Sequence, residues 1–116
     1  MRPDLIRWQW DGYPEFHKDR TNLRIHIIAV PAFIGATLSL VSSLIAMHWT
    51  YAASSAVTAV LAFAAQGIGH KREKTPPIPF DGPLDAIRRI LTEQFINFPR
   101  FLLSGGWRAA LSRAKS

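Results

Sequence analysis

Cysteine is absent from this chain of 116 residues, which excludes disulfides and thiolate metal ligands. Structural zinc is disfavoured for the same reason. No Gly-x-Ser-x-Gly elbow and no glycine-rich phosphate loop occurs, so neither nucleophilic hydrolysis nor nucleotide chemistry is indicated. There is no internal repeat. Asp, Glu, Lys and Arg are all missing between Ile25 and His70. A soluble surface helix needs a charged face, so this absence points away from a water-soluble domain. The first apolar run starts only at residue 25 and lacks an adjacent small-residue cleavage pattern, which argues against a signal peptide.

What is present is segregated. Aliphatic and aromatic residues make up 48% of the chain, yet the mean hydropathy is only +0.06. Two apolar runs, 25–47 and 50–70, each approach the ~20 residues that cross a hydrocarbon core. Only His48-Trp49-Thr50 separates them. The expected fold class is an all-α membrane protein: a two-helix transmembrane hairpin plus a C-terminal amphipathic interfacial helix, in a single membrane domain. Small residues fill the second run, among them Ala52, Ala56, Ala59, Ala62, Gly67 and Gly69, and allow close helix approach in lipid.

The net charge of +6 would suit nucleic acid, but its placement speaks for topology. All 14 Lys and Arg residues lie before Ile25 or after His70. The positive-inside rule then puts both termini in the cytoplasm, of a bacterial inner membrane or facing cytosol in a eukaryote, and no nucleic-acid partner is expected. Trp49 and Tyr51 fit an aromatic belt at the far end.

Residues 1–24 form a polar and aromatic segment carrying His17, with Asp19 or Thr21 available to cap the first membrane helix. Residues 75–83 are a stiff, proline-rich connector. Over 84–103, Leu84, Ile87, Leu91, Phe95, Phe98 and Leu102 follow helical spacing, interrupted by Arg88, Arg89, Glu93 and Arg100, so an interfacial amphipathic helix is expected. The basic tail 104–116 reads as loosely ordered.

The histidines carry the chemistry. His26 lies 23 residues before Trp49 and His70 lies 21 after it. At ~1.5 Å per residue these are depths of about 35 and about 32 Å, one level at one membrane face. His17 is on the same side, and joins them if the chain bends between Phe16 and Asn22. Imidazoles so gathered suggest a metal site, and without thiolates they suit Fe(II) with open positions. His48 lies at the opposite end. Asn22 and Gln66 each sit one turn before a histidine, where a carboxamide can orient a ligand from outside the metal's own shell. Glu73 reads as a solvated partner of Lys71 or Lys74, or as a metal contact. Glu93, opposite the apolar stripe of its helix, reads as a surface charge that could bond a histidine from outside.

His17-x4-Asn22-x3-His26-x4-Pro31, followed by Gln66-x2-Gly69-His70, resembles the membrane 2-hydroxy fatty acid dioxygenases. These are typified by the fungal enzyme of phytosphingosine breakdown; bacterial relatives are known mostly as a membrane domain of unknown function. The resemblance covers residues 13–103, with Glu93-Gln94-Phe95 similar to a late acidic motif. It implies Fe(II) held by His17, His26 and His70, and an O2-dependent removal of one carbon from a 2-hydroxy fatty acid. The substrate's hydroxyl and carboxylate would take the open positions, Arg24 or Arg72 would neutralise the carboxylate, and the acyl chain would lie along the hairpin. The competing class is a non-enzymatic membrane scaffold or assembly protein packed through its Ala/Gly helix. A homo-oligomer is plausible under either.

Overall fold

The computed structural model describes residues 4–114, and within them the secondary structure is entirely helical. The elements are α1 (Leu5–Phe16), α2 (Arg20–Ile45), α3 (Trp49–His70), α4 (Pro83–Thr92), a π-helical segment Glu93–Asn97, α5 (Phe98–Leu103) and α6 (Gly106–Arg113). Arg2 and Lys115, counted among the flanking cations, lie outside the described residues.

Two of these helices, α2 and α3, are long and apolar enough to cross a membrane. They run antiparallel. His26 meets His70, Phe33 meets Phe63, and Ser39 Oγ lies 2.7 Å from Ser55 Oγ. Numbers rising on one helix pair with numbers falling on the other. Alanines 36, 52 and 62 are buried here, as close backbone approach requires.

The helices are longer than their apolar runs. The first helix begins at Arg20, not Ile25, because Asp19 caps it: its carboxylate accepts from the Asn22 N–H at 3.0 Å. Pro31 sits inside α2 without ending it. The turn falls at Ala46–His48, and Trp49 and Thr50 already belong to α3. Met47 takes the left-handed position (φ 58°), while His48 N–H reaches back to Ser43 O at 2.8 Å and Met47 N–H to Leu44 O. Those two bonds satisfy carbonyls that the end of a helix leaves open.

Everything else gathers at the end of the pair that carries Arg20 and His70. The segment 84–103 is not one regular helix. It passes from α4 through the π-helical segment into α5, and Pro99 stands in the first turn of α5. Helix α4 turns its charged face inward: Asp85 is buried, and Leu84, Ile87 and Leu91 are exposed. Asn97 Nδ2 donates to Gln9 Oε1, and Gln9 Nε2 to Arg89 O, which ties α1 onto this segment. The tail corrects its expected disorder. Gly105, at φ 85°, turns the chain into α6, whose Trp107 Nε1 donates to Leu23 O at 2.8 Å. The core at this end comprises Tyr13, Leu23, Val30, Phe98, Phe101, Ala110 and Ala114.

Candidate metal centre

Three helices deliver the three imidazoles. Helix α1 ends at Phe16, and the short bend before Arg20 places His17 over the start of α2. His26 lies on α2 one turn after Asn22, and His70 is the last residue of α3. The ring centroids form a nearly equilateral triangle, with sides of 5.0, 4.8 and 4.9 Å. The rings stand close to perpendicular to one another, at 89°, 78° and 87°.

Two of these rings are locked by backbone carbonyls. His17 Nδ1 bonds Tyr13 O at 2.7 Å, and His26 Nδ1 bonds Asn22 O at 3.0 Å. A carbonyl only accepts, so both Nδ1 atoms carry the proton, and each Nε2 keeps a free lone pair. Those Nε2 atoms are buried with no hydrogen-bond partner, as is Nδ1 of His70. A buried polar atom without a partner is costly, and the free Nε2 atoms of His17 and His26, with a ligand nitrogen of His70 within 4.8 Å of them, fit a metal ion.

Glu93 belongs to this group rather than to the surface. Its Oε2 lies 3.4 Å from His17 Nε2 and 4.0 Å from His70 Nε2. One ligand atom from each of His17, His26, His70 and Glu93 lies within 4.8 Å of the others. The π-helical segment begins at Glu93, where its wider turn breaks the phase of α4. Burial raises the Glu93 carboxyl, but its contact with His17 and the charge the three imidazoles take on when protonated outweigh that and lower it to about 2. Tyr13 stacks on His17 at 3.8 Å and 4°. Burial, then the Glu93 carboxylate, push its phenol well above the ordinary value of 10.0.

The expected outer partners act, but not on the atoms assigned to them. Asn22 does not reach His26 through its carboxamide. Its Nδ2 donates to Glu73 Oε2 at 2.6 Å, and only its backbone carbonyl holds His26. A β-carbon at Gly69 would collide with the Asn22 side chain, so glycine there admits it. Gln66 does not touch His70 either. It exchanges two hydrogen bonds with Gln94, at 2.9 and 2.6 Å, and Gln94 Nε2 also donates to Glu93 Oε1 at 3.3 Å. Glu73 is not solvated: it is buried and accepts from the backbone N–H groups of Lys18 and Asp19 as well as from Asn22.

A cavity of about 420 Å³ opens beside the cluster. Neither Arg24 nor Arg72 lines it. Arg24 is exposed, two residues from His26 and thus on another face of α2, and Arg72 pairs with Asp19 at 3.2 Å. The cations that do line it are Lys71 and Arg89. Arg89 is held by the carbonyls of Ile78 and Pro79 and by Asp85. His48 stands at the far end of α3, beside Tyr51. The signal that could have singled out Glu93 was its Glu-Gln-Phe motif. Nothing in one sequence announces a π-helical turn.

A family model described as Mpo1-like, 2-hydroxy-palmitic acid dioxygenase Mpo1-like, matches residues 5–93. That span holds His17, His26, His70 and Glu93. No curated protein and no solved structure matches the chain.

Proposed function

The chain belongs to this Mpo1-like family, and on that premise we propose that it is an Fe(II)-dependent membrane dioxygenase that shortens 2-hydroxy fatty acids by one carbon. The observation that carries the metal is the gathering of ligand atoms from His17, His26, His70 and Glu93 within 4.8 Å of one another, with the Nε2 atoms of His17 and His26 buried and unpartnered. These three residues would hold the ion, with Glu93 as a fourth ligand or as an acceptor for groups bound beside it. Bound Fe(II) would supply O2 activation and open positions for the substrate's hydroxyl and carboxylate.

The chain's own residues prepare that chemistry. The carbonyls of Tyr13 and Asn22 fix two imidazoles in one tautomer and one orientation. The Gln66–Gln94 pair steadies Glu93. Phe98, buried with its ring 6.0 Å from His26, packs beside the cluster. Lys71, at the cavity wall, is the cation placed to meet an acidic head group.

Oxygen consumption with a long-chain 2-hydroxy acid is expected only in the presence of Fe(II), with an acid one carbon shorter as product. Mass spectrometry of the products with and without Fe(II) checks this. The equivalent acid without the hydroxyl should be inert, because it lacks the second chelating oxygen. Iron-loaded protein that leaves 2-hydroxy acids of every length intact would refute the reaction.

The membrane reading rests on exposed apolar surface. Only 22% and 28% of the most apolar stretches of α2 and α3 are buried within the protein. The outward stripe Leu84, Ile87, Leu91 on α4 suits the interface. The end carrying the three clustered histidines and all the described Lys and Arg residues would face the cytoplasm, and Trp49 the opposite side. Reporter fusions at residue 49 and after the last residue are expected to report opposite compartments. A cytoplasmic signal at residue 49 would sink the transmembrane hairpin.

A further inference from the structure

Gly67 and Gly69 are two residues apart on α3 but differ in what surrounds them. Gly69 is explained by its neighbour, since the Asn22 side chain fills the space beside it. Gly67 has no such neighbour: a β-carbon there would meet no heavy atom within 4 Å. Glycine is a poor helix former, and protein packing gives no reason for it at this position. Gly67 does line the cavity beside the metal centre. Phe63 one turn earlier and His70 one turn later share that wall.

The cavity has two kinds of lining. His17, His70 and Glu93 of the cluster belong to its wall. Most of the remainder is apolar, with Trp8 and Phe16 from α1, Phe63 from α3, and Ile78 and Phe80 from the proline-rich connector, beside the cations Lys71 and Arg89. Arg89 grips the connector through the carbonyls of Ile78 and Pro79 and lies 4.7 Å over the Phe80 ring. The connector is thereby held as a wall. A mostly apolar cavity with the candidate metal ligands in its wall fits a single hydrocarbon chain whose polar head sits at those ligands.

We propose that this cavity holds the acyl chain of the 2-hydroxy acid, between α1, α3 and the connector, and that Gly67 is the residue that sets how long a chain is accepted. This rests on the dioxygenase reading above. The chain would run inside the protein against α3, not along the outer surface of the helix pair.

Substitutions at Gly67 test it without disturbing the fold, because the first added carbon meets nothing and alanine favours the helix. Radiolabelled 2-hydroxy acids of graded length are bound, without oxygen, to Fe(II)-loaded unaltered protein and to Gly67→Ala, Gly67→Val and Gly67→Phe, and their affinities measured by equilibrium dialysis. Turnover with Fe(II) is measured in parallel. Gly67→Phe should bind the long acid more weakly by about fourfold for each methylene kept out of the cavity, and bind the short acid as the unaltered protein does. Alanine and valine should fall between in order of size. Gly35→Phe is the control: Gly35 also has open space around it but lies outside the cavity lining, and its length profile should not change. An unchanged preference in Gly67→Phe overturns the proposal, and so does equal loss at every length, since a length limit must spare the short acid. If the unaltered protein binds none of these acids, the dioxygenase reading falls with it. If that protein binds and turns over long acids while Gly67→Phe matches it, only the role of Gly67 falls.

Discussion

His26→Ala is expected to abolish stoichiometric metal binding, lowering affinity by more than about a hundredfold, beyond the range typical for losing an outer partner. His26 is fully buried, and its Nε2 has no other partner, so nothing nearby can replace it as a ligand. The same loss is expected for His17→Ala and His70→Ala. His48→Ala should bind metal normally, because it stands at the other end of α3. The measurement is metal content of anaerobically purified protein, paired with thermal unfolding. Metal at about a hundredfold over its dissociation constant stabilises a fold by about 2.7 kcal/mol. A chelator should therefore lower the unfolding midpoint of the unaltered protein and leave that of His26→Ala unmoved. Metal loss of equal size in His48→Ala, or no metal in the unaltered protein, would remove the centre as drawn.

Glu73→Ala is expected to cost roughly 3 kcal/mol of stability and to weaken metal binding without touching a ligand. The carboxylate is the one acceptor shared by the Lys18 N–H, the Asp19 N–H and Asn22 Nδ2. It fastens the bend between α1 and α2 to the chain just past α3, and that bend is what carries His17 into the cluster. Alanine leaves these donors without their acceptor and frees the bend. Glu73→Gln should fall between: both carboxylate oxygens accept here, and an amide offers only one. Unfolding midpoints in detergent, with metal titrations of each variant, check the order. A Glu73→Ala protein as stable as the parent would return this residue to the solvated role its position beside Lys74 suggests.

The chemistry of the chain was legible to a considerable degree. Two charge-free runs with one short break specify two apolar helices, because only a helix satisfies a long backbone away from water. A rise of ~1.5 Å per residue then fixes the level of His26 and His70 from counting alone. The bend that adds His17 was also visible, in Asp19 as a cap. What counting could not reach depends on contacts between distant segments. Glu93 read as a surface charge, or at most an outer partner of a histidine, because its phase was taken from a regular helix, whereas α4 faces the other way and the π-helical turn begins at Glu93.

Spacing placed Asn22 and Gln66 one turn before His26 and His70 but did not supply their partners. Their bonding partners, Glu73 and Gln94, lie 51 and 28 residues away, and no periodicity links them. Arg24 and Arg72 were near in sequence but sit off the cavity, which is lined by Lys71 and Arg89. The tail gave no sign of order because α6 is stabilised by docking on α2, through Trp107 and Leu23, rather than by its own propensity. The sequence by itself thus determined the two apolar helices and the level of two imidazoles, both consequences of local geometry and of the solvent each segment tolerates. Only the tertiary structure decided which carboxylate faces the clustered imidazoles, which carboxylate holds the bend, and which residues line the cavity beside them, because each is a meeting of side chains brought together from separate segments.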